Sequence, residues 1–491
     1  MTLMVHYFNV KDSASEVRRR SVSGAKAGGA GPRRWWALAL LCVAQFVDVL
    51  DVNAVVVALP SIGRELGFSR GDLQWVITAY VLFFGGFLLS AGRLADLFGR
   101  RRMFVAGLAL FALSSLTCGL AGSPAVLLVA RAAQGLGAAI VAPAALAIIS
   151  TTFPEGRERN FAMGVWTAVA AGGGAAGLVL GGLITDGLGW EWIFFVNVPL
   201  GVVGIALSFV LLEEDREASA SRRLDLPGAV TVTAGLVLLV YGLTRAEDAG
   251  FGSVLTLGML AVALVFVAAF VIVERSVADP LVPLKIFRTR DLAGSAMVAF
   301  ANTATTSPLG VLAVVYLQEV LSYSPTLAGM LWLPCSLSVV AGSFLGSRLT
   351  GRFGARRTMA SGLLGISAAT LITAGISAEG GVGYVVSGAA LSGLALGCSA
   401  VASTARGTSA VEEGERGLAS GLLNSSAQVG TAMGLAVLFT VAAARADALA
   451  GGEPTAEALV AGYRLAFFVG AGLAVAGALA ALFVVRKRGA F

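Results

Sequence analysis

The sequence consists mostly of long apolar runs separated by short polar segments. Fourteen such runs lie between residues 35 and 485, and none has the alternating pattern of a β-strand. A helix needs about 20 apolar residues to cross a bilayer, and lipid offers no hydrogen-bond partners to the backbone of an open sheet. The pattern therefore predicts an all-α integral membrane protein with 14 transmembrane helices. The predicted spans, 1 to 14 in chain order, are 35–59, 74–91, 103–121, 125–149, 161–184, 193–212, 229–244, 254–273, 292–317, 327–345, 359–376, 382–403, 418–443 and 465–485.

Composition excludes several classes of protein. Of the 491 residues, 57% are hydrophobic and 13% are charged, whereas soluble domains have roughly 25% charged residues. Disorder of the whole chain is excluded as well, because it requires low hydrophobicity and high charge. The four cysteines lie singly in apolar runs, and the only histidine, His6, lies in the polar N-terminal segment. We therefore expect no disulfide framework, no metal site and no cofactor.

The 35 Lys and Arg residues are distributed unevenly between the predicted loops. If the N-terminus lies inside, 29 of them fall on the cytoplasmic side, five fall outside and Arg131 lies within span 4. Cytoplasmic loops of membrane proteins carry such an excess, so both termini are expected in the cytoplasm. The net charge of +6 is then a consequence of topology, and no nucleic-acid partner is expected.

Two loop segments, Gly92–Arg102 after span 2 and Arg348–Arg357 after span 10, share Arg-Leu, Phe-Gly and Arg-Arg at an offset of 255 residues. Such repeats are typical of transporters built from two related bundles. Eight spans separate the two copies. In a protein of two six-helix halves, only six spans would lie between them, so two extra helices are predicted between the halves. The predicted organisation is a disordered basic cytoplasmic tail (1–34), an N-terminal six-helix bundle (35–212), a linker with two extra transmembrane helices (213–291), a C-terminal six-helix bundle (292–485) and a cytoplasmic tail (486–491).

Five segments together resemble signatures of the major facilitator superfamily, specifically of its 14-spanner drug:proton antiporters. The loop Gly92–Arg102 resembles the signature between helices 2 and 3, and Leu128–Gly135 resembles the helix-4 signature with its buried arginine. The remaining three segments resemble the first-helix signature, the helix-5 antiporter signature and the entry to helix 6. They are Leu50–Pro60, Gly173–Gly182 and Trp190–Pro199.

The resemblance implies a proton-coupled antiporter that exports small hydrophobic drug-like or antibiotic molecules by alternating access between two bundles. It further implies a multi-pass monomer in a bacterial cytoplasmic membrane, whose partners are protons, a small-molecule substrate and the lipid bilayer. The proton gradient would drive it without a cofactor. Three positions depart from the family pattern: Leu178 stands where Pro is usual, Asn53 stands where Thr is common, and Gly351 stands opposite Asp96 in the second loop copy.

Other classes of membrane protein require different sequence features. An ATP-driven pump would need a Gly-Lys-Ser/Thr phosphate loop, but none of the four lysines follows a glycine. A membrane enzyme would need a His, Cys or Asp/Ser cluster near one interface, whereas the single histidine lies in the N-terminal tail, so a secondary transporter is expected. A proton symporter that imports a small nutrient or metabolite remains the alternative, because a fold does not fix the direction of transport. A sensor that does not transport is a third possibility.

Asp48 and Asp51 lie one turn apart on span 1, hence on one face of the helix. Ionisable groups within a span usually face a cavity or a partner. At about 1.5 Å per residue, Asp51 and Arg131 each lie roughly 9–11 Å below the external surface, so an ion pair is possible. We predict that Asp51 is the main proton-coupling site, Asp48 a second proton or cation site, and Arg131 the partner that tunes Asp51. The alternative is a purely structural pair that locks span 1 to span 4.

The resemblance implies that the loop after span 2 switches the cytoplasmic gate, with Gly92, Asp96, Gly99, Arg100 and Arg101 as its working residues. Asp96 lies near the C-terminus of its helix, where the helix dipole disfavours a negative charge. Compensation is therefore expected from Arg100, Arg101 or the N-terminus of another helix. For the arginines alone, positive-inside anchoring is the simpler interpretation.

Gly173, Gly177 and Gly181 form a stripe at intervals of four residues on span 5, followed by Gly182. Small residues at this spacing allow close approach of two helices in a membrane. The functional interpretation is an antiporter motif that seals against proton leak, and the alternative is generic helix packing.

Aromatic and amide side chains within the spans are candidates for a substrate cavity, because aromatic rings suit flat or cationic molecules. The alternative for each aromatic residue is a place in the core or against lipid. The candidate cavity residues are Trp166, Asn302, Tyr316, Trp332, Asn424 and Gln428.

Overall fold

Long α-helices make up nearly all of the part of the chain that the computed structural model describes, which is residues 32–154, 156–214, 225–249, 253–277, 280, 289–412, 416–450 and 455–486. The predicted tail 1–34 lies almost entirely outside these residues, as does most of the tail 486–491. The helices up to the middle of the chain are α1 (Arg33–Leu66), α2 (Arg70–Leu73), α3 (Trp75–Phe98), α4 (Arg100–Gly119), α5 (Pro124–Thr152), α6 (Arg157–Leu188), α7 (Glu191–Phe195) and α8 (Asn197–Leu211). The remaining helices are α9 (Leu226–Ala249), α10 (Val254–Ser276), α11 (Arg290–Glu319), α12 (Pro325–Phe353), α13 (Ala355–Thr373), α14 (Val382–Ser409), α15 (Arg416–Ala450) and α16 (Ala456–Val484).

Local sequence signals fix several of these helix ends. α12 begins with Pro325 in its first turn, and the Ser324 hydroxyl accepts a hydrogen bond from the Leu327 amide. A proline at this position loses no hydrogen bond, since the first amides of a helix have no partner within it. α1 ends at Gly67, which adopts a φ of 70°, and glycine takes this left-handed conformation without steric cost.

The same pattern of helix packing occurs twice along the chain. In the first half α1 packs on α6, α3 on α5, and α4 on α5 and α8. In the second half α11 packs on α15, α12 on α14, and α13 on α14 and α16. Helices in equivalent positions thus have equivalent neighbours, as the repeated loop sequence suggests. We refer to α1–α8 as the N-terminal bundle and to α11–α16 as the C-terminal bundle.

α9 and α10 form a hairpin outside the two bundles. They pack on each other, and α9 also packs on α3 and α15, one helix from each bundle. Much of α10 is exposed, including Val254 at 89% and Leu264 at 69%. Apolar side chains on such a surface indicate contact with lipid.

Eleven helical segments within the described residues are long and apolar enough to cross a membrane, with α7 and α8 together (Glu191–Leu211) counted as one of them. Apart from the four-residue α2, the helices that do not meet this criterion within the described residues are α3, α9 and α13. The apolar stretches of α3 and α9 are shorter, at Trp75–Leu88 and Pro227–Leu243. α13 has two arginines in its first turn and is rich in Ser, Thr and Gly. A membrane protein with many spans is therefore established, and the number 14 stays a prediction.

The two bundles meet where α6 ends and α12 begins. The Asp186 carboxylate at the end of α6 accepts hydrogen bonds from the Thr326 amide, at 3.0 Å, and from the Thr326 hydroxyl. Nearby, the Gln318 amide of α11 donates to the Val57 carbonyl of α1 at 2.8 Å. These hydrogen bonds connect the bundles at one end of the molecule.

Candidate functional site

A buried ion pair joins α1 to α5. The Asp51 carboxylate Oδ2 lies 2.6 Å from Nη1 of Arg131, and neither side chain is exposed to any extent. The Arg131 Nε also donates to the Val76 carbonyl of α3 at 2.9 Å. Because a buried charge without a partner is strongly destabilising, the arginine and the carboxylate must be held together in this arrangement.

Three further polar side chains complete a network around Asp51. Its Oδ1 accepts from the Gln134 amide at 3.0 Å and from the Asn197 amide at 2.7 Å. The Gln134 amide also donates to the Ser115 hydroxyl at 2.7 Å, while its carbonyl accepts from Arg131 at 2.6 Å. The Asp51 carboxylate therefore accepts hydrogen bonds from three donors on two other helices.

Gln134, Asn197 and Ser115 are members of the site that were not predicted from the sequence. Gln134 and Asn197 both lie within the segments that resemble family signatures, and each is a polar residue in an apolar run. A polar residue in an apolar run was therefore the sequence feature from which a role for Gln134 and Asn197 could have been predicted. Asn197 is the first residue of α8, which begins after the break that separates it from α7, and this break brings its side chain to Asp51.

Asp48 has a separate partner. The Tyr80 hydroxyl of α3 donates to the Asp48 carboxylate, and the Tyr80 ring lies beneath the Arg131 guanidinium, 4.5 Å from ring centroid to Cζ. Tyr80 thus links Asp48 to the Asp51–Arg131 pair. A cavity of about 30 Å³ is lined by both Asp48 and Asn197, which is room for about one water molecule.

The structure describes only part of the predicted gate loop, which is the segment Gly92–Arg102 after span 2. Gly99 joins α3 to α4 with a φ of 94°, a conformation that favours glycine. The Arg101 guanidinium stacks 5.1 Å from the Phe209 ring centroid and donates to the Leu212 carbonyl at 3.5 Å, so it contacts the end of α8. The Asp96 side chain lies outside the described residues, and its gating role, with those of Gly92 and Arg100, stays a prediction.

The glycine stripe of α6 packs against α1, the helix that carries Asp48 and Asp51. A β-carbon on Gly173 would lie 2.9 Å from the Phe46 carbonyl oxygen, and one on Gly177 would lie 2.6 Å from the Leu50 carbonyl oxygen. One on Gly181 would lie 2.5 Å from Ala54 Cα. The three glycines thus permit backbone contact between α6 and α1.

Gly182 faces the C-terminal bundle and not α1. A β-carbon there would lie 2.5 Å from Thr326 Cα in the C-terminal bundle. The motif therefore serves two interfaces, one within the N-terminal bundle and one between bundles.

The six predicted cavity residues do not gather at one place. Trp166 lies in the core of the N-terminal bundle. Tyr316 is fully buried, and its hydroxyl donates to the carbonyls of Ser377 and Gly380 at 2.8 and 3.0 Å. Trp332 packs on Gly310.

The three amides are also dispersed. Asn302 is buried within α11, Asn424 is exposed on α15, and Gln428 packs on Gly85 of α3. A role in substrate binding stays a prediction for all six residues.

A cavity of about 770 Å³ lies between α3, the α9–α10 hairpin, α11, α15 and α16. Its walls are small and apolar side chains together with Gly85, Gly86, Ser425 and Ser426, and none of the six predicted residues lines it. Ser425 also bridges the bundles, since its hydroxyl donates to the Gly85 carbonyl at 3.1 Å.

Comparison with known proteins identifies the class. The family model for the Major Facilitator Superfamily matches residues 41–435 and 292–490. The chain therefore belongs to the Major Facilitator Superfamily of membrane transporters. The fold agrees: a solved bacterial homologue of the human lysosomal transporter Spinster, in an inward-facing and unoccupied conformation, superimposes with a TM-score of 0.66 at 19% identity, covering 93% of this chain and 98% of that one.

Characterised relatives are closer in sequence. The puromycin resistance protein pur8 of Streptomyces alboniger is 40% identical over 476 residues, which is 95% of this chain and 94% of the relative. The cephamycin export protein CmcT of Amycolatopsis lactamdurans is 40% identical, covering 82% and 84%. The multidrug resistance protein Stp of Mycobacterium tuberculosis is 38% identical, covering 81% and 73%.

Proposed function

We propose that this transporter is a proton-coupled exporter of small hydrophobic drug-like or antibiotic molecules. The observation that carries the proposal is the buried carboxylate of Asp51, held by Arg131 in the interior of the N-terminal bundle. The names of the three relatives, which refer to puromycin resistance, cephamycin export and multidrug resistance, support export as the direction.

Proton coupling follows from what protonation would do to the network. When Asp51 is charged, its oxygens accept from Arg131, Gln134 and Asn197. A proton on the carboxylate would leave the buried Arg131 without its counter-ion, at a cost of several kcal/mol. α1 and α5 therefore favour one arrangement when Asp51 is charged and another when it is neutral. Proton binding is in this way converted into movement of helices.

The movement would alternate access between the two bundles. The hydrogen bonds from Thr326 to Asp186 and from Gln318 to Val57 join the bundles at the end that the Lys and Arg distribution assigns to the outside. The described arrangement thus corresponds to closure on the external side. Opening that side would require these hydrogen bonds to break.

The proposed substrate class follows from the 770 Å³ cavity. Its volume falls within the roughly 300–1,000 Å³ of pockets that hold drug-sized ligands. The lining is apolar apart from Ser425 and Ser426, so it suits a hydrophobic molecule with few polar groups. Its position beside the α9–α10 hairpin also gives access from the lipid.

Transport into everted membrane vesicles of a pump-deficient host tests the function. With an acidic lumen, an antiporter that exports accumulates the compound inside the vesicle, whereas a symporter that imports in the cell depletes it. Puromycin is the first compound to use, followed by cationic, neutral and anionic hydrophobic compounds. Accumulation that is abolished by an uncoupler is the expected result. Depletion of the lumen would favour the nutrient symporter, and no response to the pH gradient for any compound would contradict proton coupling.

A further inference from the structure

A basic pocket lies at the end of the C-terminal bundle where α12 ends, α13 begins, and α14 and α16 end. Its volume is about 510 Å³. Four arginines from three places in the chain line it, together with Gly351 of the second loop copy. The arginines are Arg356, Arg357, Arg406 and Arg486.

The positive charge of this pocket is only partly neutralised. The Arg406 Nη2 lies 2.7 Å from Oδ2 of Asp291, and the other oxygen of Asp291 accepts from the Arg486 amide at 2.9 Å. Across the described ranges, no carboxylate forms a salt bridge with Arg356 or Arg357. Within the described ranges, a carboxylate thus pairs with the guanidinium of one of the four arginines, Arg406.

Two polar atoms in the pocket wall lack partners. Nε of Arg356 and Oγ1 of Thr350 are both buried and make no hydrogen bond to any residue that the structure describes. Buried polar groups of this kind usually have a partner, because leaving one unpaired costs about 1–3 kcal/mol. A donor and a hydroxyl at the wall of a basic pocket point to an anionic ligand.

The repeat shows where a negative charge is missing. In the first loop copy the equivalent position is Asp96, whereas the second copy has Gly351. A β-carbon built on Gly351 would have no atom within 4 Å, so there is open space where the carboxylate would stand. α13 begins beside this space at Ala355, and its N-cap residue, Gly354, has no side chain to cap the helix. The first amides of α13 therefore add donors and a favourable helix dipole for an anion.

We propose that this pocket binds the phosphate group of an anionic ligand, which takes the place of the carboxylate that the first loop copy supplies through Asp96. The bound phosphate connects α12, α13, α14 and α16 at one end of the bundle. Arg356 and Arg357 supply the charge-assisted hydrogen bonds, and Gly351 leaves the space. A phospholipid headgroup and free inorganic phosphate share this chemistry. The site is distinct from the Asp51 network and does not depend on the proposed export function.

Thermal unfolding of the purified full-length protein in detergent tests the site. The probes are inorganic phosphate, compared with chloride at equal ionic strength, and short-chain phosphatidylglycerol, compared with phosphatidylcholine of the same chain length. We expect a concentration-dependent rise in melting temperature with phosphate, with phosphatidylglycerol or with both, and none with phosphatidylcholine. A response to phosphatidylglycerol alone identifies the source as a lipid headgroup, and a response to phosphate as well identifies a site for the free anion.

Paired variants locate the binding. The double variant Arg356→Gln/Arg357→Gln should bind about 100-fold more weakly, at roughly tenfold for each charge-assisted contact. The matched control is Arg348→Gln/Arg352→Gln, which removes the same charge from two exposed arginines nearby that do not line the pocket. It should bind as the wild type does. Equal weakening in both double variants would overturn the proposal, since it would show general attraction to a basic surface.

A third variant tests the site without removing any arginine, so its result does not depend on whether the arginine variants fold correctly. Gly351→Asp places a carboxylate in the open space and should raise the melting temperature without ligand while abolishing the response to the anionic probe. A Gly351→Asp protein that responds to the probe as strongly as the wild type would overturn the proposal. So would a wild-type protein that responds equally to phosphatidylglycerol and phosphatidylcholine and not at all to phosphate.

Discussion

Asp51 and Arg131 lie 80 residues apart in the chain, yet their side chains meet at 2.6 Å in the interior of the N-terminal bundle. The pair joins α1 to α5, and the arginine is also anchored on α3 through the Val76 carbonyl. Three helices that line the same bundle are therefore connected through one guanidinium group. A change in the charge of Asp51 therefore alters the contacts of all three helices, α1, α3 and α5.

The first prediction concerns the charge on Asp51. Asp51→Asn keeps the shape and most hydrogen bonds of the side chain but removes its negative charge and its ability to exchange a proton. We expect export driven by a pH gradient to fall to background in everted vesicles. Asp72→Asn removes a partly exposed carboxylate of α2 that accepts a hydrogen bond from the Ser69 hydroxyl, and this variant should transport normally.

The double variant Asp51→Asn/Arg131→Gln separates coupling from structure. The single variant leaves a buried cation without a counter-ion and should lose about 3–5 kcal/mol of stability, whereas the double variant removes both charges and should recover much of it. Melting temperatures measure this difference. If the double variant also regains coupled export, the pair is a structural lock between α1 and α5 and not the proton site.

The second prediction concerns Asn197 as a positioning residue. Asn197→Ala removes the amide that donates to Asp51 Oδ1 at 2.7 Å while leaving the Asp51–Arg131 pair in place. Loss of one hydrogen bond to a charged group, about 1.5–3 kcal/mol, should reduce the coupled export rate roughly tenfold. Asn53→Ala is the control, because among the described residues the Asn53 amide donates only to the Val49 carbonyl of its own helix.

Protein amount and substrate affinity distinguish positioning from unfolding. We expect Asn197→Ala to be inserted at wild-type levels with little change in the substrate concentration for half-maximal transport. A similar loss in Asn53→Ala would instead indicate general sensitivity of α1 and its neighbours to amide removal.

The residues of the Asp51 network differ in how well they can be predicted from the sequence. The Asp51–Arg131 pair could be anticipated because charged residues in apolar runs are rare and their depth can be counted along each helix. Gln134 and Asn197 carry no charge, and the direction in which an amide points depends on how the helices rotate against each other. The sequence contains no direct measure of that rotation.

The residues that line a substrate cavity are also difficult to predict from the sequence, because they too depend on how the helices rotate against each other. Trp166 and Tyr316 are large and amphipathic, which suits a cavity and a packed core equally, and in the structure both are buried. The 770 Å³ cavity is lined instead by apolar side chains such as Leu236 and Phe300, together with small residues such as Gly85 and Ser425. Small side chains leave space only when helices are assembled, so their importance is not visible in the sequence. The helices themselves were predictable because long apolar runs have one solution in lipid.

The third prediction concerns the close packing of α6 on α1. Gly177→Ala places a methyl group 2.6 Å from the Leu50 carbonyl oxygen, and the backbone must shift to accommodate it. We expect a loss of about 1–3 kcal/mol in stability, the range for overpacked interiors. Gly164→Ala is the matched control, since it lies on the same helix with no atom within 4 Å of the new methyl group.

Both substitutions gain the same helix propensity, about 1 kcal/mol in favour of alanine, so their difference reports packing alone. Melting temperatures in one detergent give that difference. Equal melting temperatures for the two variants would show that α6 and α1 can separate without cost.

The fourth prediction concerns the hydrogen bonds between the bundles at Asp186 and Thr326. Asp186 accepts from both the amide and the hydroxyl of Thr326 at the start of α12. Asp186→Ala removes both hydrogen bonds and should increase the population of molecules open on the external side by roughly tenfold, since one bond to a charged group contributes about 1.5–3 kcal/mol. Thr326→Val removes only the hydroxyl and should have a smaller effect.

Thiol labelling measures the opening. Val57, fully buried on α1 where Gln318 reaches its carbonyl, is replaced by cysteine in a protein whose four native cysteines have been changed to serine or alanine. A membrane-impermeant reagent added from outside should label this cysteine faster in the Asp186→Ala background, faster to a lesser degree with Thr326→Val, and at the original rate with Asp72→Asn. Because the bundles must part at this end before the reagent can reach position 57, the order of the rates follows the number of hydrogen bonds removed. Equal rates in all backgrounds would show that Asp186 does not hold the external side closed.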